Sequence, residues 1–185
     1  RLDDTSVRRS RAILALNDCI NRLRDNRNNA KEARDCLKKE LQKPSSASDL
    51  MVSAIGHAHI DTGWLWPVRE TVRKSARTFA TQLGIIDKYP DYIFGASQPQ
   101  HYQFIKEHYP QIYEKIKKAV KSGNWEVQGG MWVEADCNLI SGESMVRQLL
   151  HGKNFFKTEF DIDVDNLWLP DVFGYSAALP QILEK

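Results

Sequence analysis

The chain has 185 residues, 26 of them Lys or Arg against 24 Asp or Glu, with a formal net charge of +2 and 42% hydrophobic residues. That length suits one ordinary domain or part of a larger protein, and the near-balance of charge points to no acidic or basic partner. No run of 18 apolar residues occurs, so no segment reads as a membrane-spanning helix. Basic clusters at Arg8-Arg9-Ser10-Arg11 and from Lys115 to Lys118 lie in helical patterns. A solvated helix face explains them better than nucleic-acid binding. Cys19, Cys36 and Cys137 are odd in number and lack CxxC spacing, which argues against a disulfide framework and for a reducing compartment.

Residues 1–49 form the first region. Ile13, Leu16, Ile20 and Leu23 recur at helical spacing, and Ala30, Ala33, Leu37 and Leu41 do so again after a break at Asp25 to Asn29. This predicts a helical hairpin that Thr5 or Ser6 can cap, followed by the linker Pro44-Ser-Ser-Ala-Ser-Asp49. From residue 50 to 185 strands and helices alternate. Met51 to Gly56 reads as a buried strand, and Arg69 to Lys88 as a helix with Val72, Ala76, Phe79, Leu83 and Ile86 on one face. A second strand at Tyr92 to Ser97 precedes helices that begin at Pro99 and Pro110, both suited to a first helical turn. A third strand, Trp125 to Gly129, leads to a helix capped by Ser141 and carrying Met145, Leu149, Gly152 and Phe156. A fourth strand is expected at Asn166 to Leu169 and a last helix near Ser176. The chain starts at Arg1 in polar sequence and stops at Lys185 inside a helical pattern, as a segment of a longer protein would.

Alternating β and α segments imply a parallel sheet with helical crossovers, either part of a barrel or an open doubly wound sheet. In both, ligands gather at the carboxyl ends of the strands. The chemistry-bearing residues fall there. His57-Ala58-His59-Ile60-Asp61, Trp64 and Trp66 follow the first strand, and Ser97, Gln98 and His101 the second. Trp132, Glu134 and Asp136 follow the third, and Asp171 and Phe173 the fourth. Alternation along an extended chain puts His57, His59 and Asp61 on one side. Two imidazoles and a carboxylate there suit a divalent metal such as zinc, while the plainer reading is hydrogen bonding at a strand exit. Asp171 can be a metal ligand, a nucleophile or a helix N-cap. Glu134 and Asp136 can bind substrate hydroxyls or satisfy loop amides. Trp64, Trp66, Trp132 and Phe173 offer flat apolar faces that suit a sugar ring, with core packing as the alternative, favoured for Trp66.

Four motifs in order, Gly56-His-Ala-His-Ile-Asp-Thr-Gly-Trp64-Leu-Trp-Pro67, Gly129-Gly-Met-Trp-Val-Glu-Ala-Asp136, Ser141-Gly-Glu-Ser-Met-Val-Arg-Gln148 and Trp168-Leu-Pro-Asp-Val-Phe-Gly-Tyr-Ser176, resemble glycoside hydrolase family 38, the α-mannosidases. Thr62 and the Leu-Trp-Pro after Trp64 are similar to its cytosolic, vacuolar and bacterial branch. The resemblance implies an α/β fold in which residues 50–185 form the first half of a seven-stranded β/α barrel, preceded by the helical hairpin. It implies one zinc, with cobalt able to serve. His59 and Asp61 would be metal ligands, Asp171 both metal ligand and nucleophile, and Trp64 and Phe173 substrate-binding. His57 matches no ligand of the family. The implied activity is retaining hydrolysis of terminal α-mannosidic bonds in oligosaccharides, in the cytoplasm or a vacuolar or lysosome-like compartment, with no nucleic-acid or membrane partner. The last histidine ligand and the acid/base aspartate would lie beyond Lys185, so this chain alone is expected to be inactive and to bind zinc weakly. A half barrel would also leave an open sheet edge through which copies could associate as homo-oligomers. An amidohydrolase-like barrel would need further histidines at the later strand ends, where the sequence has Glu134, Asp136 and Asp171. A sugar-binding module without catalysis is the alternative from another class.

Overall fold

The computed structural model describes residues 6–25, 27–43 and 52–184. Thr5, the linker from Pro44 to Asp49, and Met51 at the expected start of the first strand lie outside the described residues. Two compact units are present, Arg1–Val52 and Ser53–Lys185.

In the first unit, α1 (Val7–Asp25) and α2 (Ala30–Leu41) are joined by a 3-10 turn, Arg27–Asn29, and pack as the expected hairpin. Ala33 is buried at the seam. The Cys36 thiol donates to Asp18 Oδ2 at 2.9 Å, and Arg22 Nε donates to the same oxygen at 3.1 Å. The apolar row Ile13, Leu16, Ile20 and Leu23 stays 37–47% exposed, so small and polar contacts hold this seam.

The second unit is built on a parallel sheet. Its strands are β1 (Gly56–His57), β2 (Phe94–Ala96) and β3 (Trp125–Val127), in the order β1-β2-β3 with Gly56, Phe94 and Trp125 in register. Helix α3 (Val68–Lys88) crosses from β1 to β2, and α4 (Pro99–His108) with α5 (Pro110–Lys121) from β2 to β3. After β3 come α6 (Gly142–Phe160) and the short α7 (Leu179–Leu183). Three helix starts have a local cause. Pro99 and Pro110 occupy first-turn positions, where a missing N–H costs nothing, and Ser141 Oγ accepts from Ser144 N at 3.2 Å. Thr71, Ser75, Ala76, Phe79 and Leu83 give α3 one buried face.

The core centres on Trp125, with Phe79 and Phe94 against it edge-on at 5.1 and 4.8 Å and Tyr102 at 6.4 Å. Buried Tyr102 and Trp125 satisfy their polar tips on each other, the indole N–H donating to the phenol oxygen at 2.9 Å. The phenol in turn donates to the Ala96 carbonyl at 2.9 Å. That bond fastens α4 to the end of β2, one residue before the rim begins.

The structure corrects the fourth strand. Among the described residues Asn166 to Leu169 joins no ladder, and the sheet has three strands and does not close. After β3 the chain bends through Gly129 at φ 95° and Gly130 at φ 69°. Gly129 N then meets the Asn166 side chain at 3.2 Å rather than a strand backbone. The paired strands are also shorter than expected, and the last helix begins at Leu179.

Gly152, anomalous for a helix interior, has a packing reason. A Cβ there would lie 2.0 Å from the Gly130 carbonyl oxygen and 2.7 Å from the Met131 carbonyl carbon, so α6 rides directly on the Gly130–Met131 backbone. Gly84 in α3 faces open space. Glycine-to-alanine exchange in a helix normally stabilises by about 1 kcal/mol, whereas overpacking costs about 1–3 kcal/mol. Urea denaturation should therefore show Gly84→Ala more stable than the parent and Gly152→Ala less stable, by roughly those amounts.

Candidate metal and catalytic site

Leaving β1, the chain places three ligand atoms in one cluster. His59 Nε2, an Asp61 carboxylate oxygen and an Asp171 carboxylate oxygen all lie within 4.8 Å of one another. His59 Nε2 is 3.3 Å from Asp61 Oδ1 and 3.5 Å from Asp171 Oδ2. The Asp171 side chain is 53% exposed, while those of His59 and Asp61 are 27% and 35% exposed. The cluster thus faces solvent from the side of Asp171. One imidazole nitrogen and two carboxylate oxygens form a donor set that suits zinc and leaves coordination positions for other ligands. Asp171 caps no helix: it lies in a turn, and Ala178 occupies the N-cap position of α7.

His57 does not join the cluster. Its Nε2 accepts from Trp168 Nε1 at 3.1 Å, and the two rings meet edge-on at 5.3 Å. Burial, then the neighbouring charge of His59, lowers its pKa. The symmetrical use of both histidines is corrected because His57 is still on β1, paired with Gly95, whereas His59 lies past the strand end.

A buried polar shell holds the cluster from behind. Gln98 precedes α4 in the left-handed region, φ 61° and ψ 83°, a conformation costing a non-glycine residue about 1–2 kcal/mol. Its amide N–H donates to the Ile60 carbonyl at 2.9 Å. Its oxygen accepts from the Thr62 hydroxyl at 2.9 Å and from the Glu134 backbone N–H at 3.4 Å. His101 Nε2 lies 2.9 Å from the Thr62 oxygen. Since the single Thr62 proton goes to Gln98, that imidazole nitrogen is the donor. Ser97 Oγ donates to Glu134 Oε1 at 2.9 Å, and His59 Nδ1 lies 2.7 Å from Glu134 Oε2. Burial raises the Glu134 pKa, against the opposing charge of His59 and the hydrogen bonds from Ser97, His59 and Gln98.

Thr71 is the residue that sequence reasoning missed. Fully buried on α3, its hydroxyl donates to the Asp61 carbonyl at 2.9 Å and accepts from Gly63 N and Trp66 Nε1 at 2.9 and 3.2 Å. A threonine inside an apolar helical face carries no sequence signal for that role.

Residues 49–185 match the family described as glycosyl hydrolases family 38, N-terminal domain. The chain belongs to glycoside hydrolase family 38. It is 46% identical over 182 residues to α-mannosidase G of Dictyostelium discoideum, covering 96% of this chain and 17% of that protein. It is 51% identical over 132 residues to human α-mannosidase 2C1, covering 71% of this chain and 13% of that one. Among solved structures, an α-mannosidase from Enterococcus faecalis V583 superposes with a TM-score of 0.63 at 27% identity, over 70% of this chain and 15% of the bacterial one. The chain therefore spans a small fraction of the length of these relatives.

Against the family expectation, the aromatic residues divide. Trp64 and Phe173 are 65% and 92% exposed. Trp66 is occupied elsewhere, its N–H on Thr71 and its ring under Lys74 Nζ at 4.3 Å. Trp132 donates to Gln100 Oε1 at 3.0 Å and packs edge-on against Phe155. Asp136 Oδ1 accepts the loop amides of Asn138 and Leu139 at 2.8 and 3.1 Å, which explains it without a substrate. No helix among the described residues is long and apolar enough to cross a membrane.

Burial, then the charge of His59, pushes His101 down to about 3 from 6.5. Its folded pKa is lowered, so the unfolded chain takes up a proton that the folded chain refuses. The neutral imidazole's contribution is present above 6.5 and is lost as pH falls toward 3. Urea denaturation across this window should show stability falling with pH more steeply in the parent than in His101→Gln, by up to about 1.4 kcal/mol per pH unit.

Proposed function

We propose that the protein carrying this chain is a metal-dependent, retaining α-mannosidase that acts on terminal α-mannosidic bonds of oligosaccharides in the cytoplasm. The observation that carries the reading is the convergence of His59 Nε2, Asp61 and Asp171 within 4.8 Å, beyond the carboxyl end of β1, in a family 38 domain. The names of the relatives supply the substrate class. In this reading the three-stranded sheet is the first part of a β/α barrel, and His59, Asp61 and Asp171 hold a zinc or cobalt ion. The ion, when bound, supplies a Lewis-acidic grip on neighbouring sugar hydroxyls, the template role of a metal.

In this reading protein side chains do the rest, with Asp171 of this chain as the nucleophile. The exposed Asp171 carboxylate attacks the anomeric carbon and forms a glycosyl-enzyme, and the leaving oxygen takes a proton from a second carboxyl group about 5–5.5 Å away, as retaining enzymes require. Water, activated by that second group, then releases the sugar and restores Asp171. Exposed Trp64 and Phe173 supply flat apolar faces for the C–H side of the ring.

Hydrolysis of an aryl α-mannoside by the full-length gene product tests this reading. Chelation should abolish activity, and zinc or cobalt should restore it. Asp171→Ala should lower kcat by about a thousandfold or more, the scale expected on removing a nucleophile. Activity that survives Asp171→Ala places the nucleophile elsewhere. Trp64→Ala, at an exposed position, should leave the fold intact and lower kcat/KM by about tenfold, or 1.4 kcal/mol.

A further inference from the structure

We propose that Glu134 is a positioning residue, its carboxylate holding the His59 imidazole with the proton on Nδ1 so that the Nε2 lone pair faces Asp61 and Asp171. The inference rests on reading His59, Asp61 and Asp171 as a metal-holding group, and it assigns the element that orients the imidazole.

Geometry carries it. The two nitrogens of His59 face different partners: Nε2 lies 3.3 and 3.5 Å from the aspartates and Nδ1 2.7 Å from Glu134 Oε2. A proton on Nε2 alone would turn the Nδ1 lone pair toward a carboxylate oxygen at 2.7 Å, a closer acceptor–acceptor contact than the 3.3 and 3.5 Å that separate Nε2 from the aspartates when the proton is on Nδ1. Oε2 is buried and makes no hydrogen bond of good geometry, so the His59 Nδ1 at 2.7 Å is the group placed to compensate it, and with no proton there it would be a desolvated carboxylate oxygen left wholly unpaired. Metal-bound histidines commonly donate their second ring N–H to a carboxylate, which fixes tautomer and ring orientation.

Glu134 is built for this task and not for contact with substrate. Its side chain is 6% exposed. Ser97 holds its other oxygen at 2.9 Å, and Gln98 receives its backbone N–H at 3.4 Å. Gln98 also grips the carbonyl of Ile60, the residue next to His59. One buried side chain in a left-handed conformation therefore sets the positions of both the carboxylate and the imidazole it faces. Such strain persists only where the surroundings over-determine it.

Two measurements on this chain test the proposal. With ¹⁵N-labelled histidine and no metal, near pH 9, above the ordinary imidazole range, two-bond nitrogen–proton correlations should show His59 protonated on Nδ1. Glu134→Ala should shift it toward the Nε2–H form, and Glu134→Gln, which retains an acceptor oxygen, should keep much of the parent pattern. An Nε2–H tautomer in the parent chain overturns the proposal without any variant having to fold. Zinc affinity, read by competition with a coloured chelator, should fall about 10–100-fold in Glu134→Ala and less in Glu134→Gln. An unchanged affinity in folded Glu134→Ala also overturns it. A parent chain that shows the Nδ1–H tautomer, together with a full-length gene product that binds no zinc, would sink the metal reading and leave the Glu134–His59 pairing standing.

Discussion

The candidate site depends on the amide of Gln98. This buried side chain bonds the Ile60 carbonyl, the Thr62 hydroxyl and the Glu134 backbone amide, and so ties the loop after β1 to the loop after β3 across the exit of β2. The paired strands are two or three residues long, too short for their ladders alone to fix where those loops go. The polar network does that work through a run of linked donors and acceptors. His101 donates to Thr62, Thr62 to Gln98, and Gln98 to Ile60. A half-satisfied version would be costly in so dry a place.

Behind this network the aromatic core fixes the register. Trp125, Tyr102, Phe79 and Phe94 interlock edge to face, and the bond from Tyr102 to the Ala96 carbonyl ends β2 one residue before Ser97. Two walls of the site thereby rest on rigid elements. The third does not: Asp171 lies in a turn just after Pro170, and its side chain is 53% exposed. Local opening is easiest where buried contacts are fewest. The same exposure leaves the carboxylate free to meet a ligand arriving from solvent.

Much of this was legible in the sequence. Proline at Pro99 and Pro110, the Ser141 cap and the apolar face of α3 follow from local rules, and the helices appear within a few residues of where those rules put them. The placing of His59 and Asp61 past the end of β1 follows from parallel β/α order, which sends strand ends to one rim, whereas Asp171 joins them from a turn after a segment that is in no ladder. What was not legible depends on three-dimensional approach. Periodicity sees the apolar run from Asn166 to Leu169 but not the Gly129–Gly130 bend that keeps it out of the ladder. Alternation places His57 beside His59 but cannot register that one is still in the sheet while the other has left it. Spacing treats Glu134 and Asp136 alike, although one faces the His59 imidazole and the other folds back on its own loop. Gly152 reads as a helix defect until the Gly130 carbonyl beneath it is seen.

The central claim is that His59, Asp61 and Asp171 together hold one divalent ion. The direct measurement is a crystal structure of the zinc-loaded protein with anomalous difference maps recorded across the zinc edge. The account predicts a single peak at the strand ends, about 2.0–2.2 Å from His59 Nε2 and from oxygens of Asp61 and Asp171, with the His57 ring still on Trp168. A peak coordinated by His57, or none at that trio under saturating zinc, would contradict it.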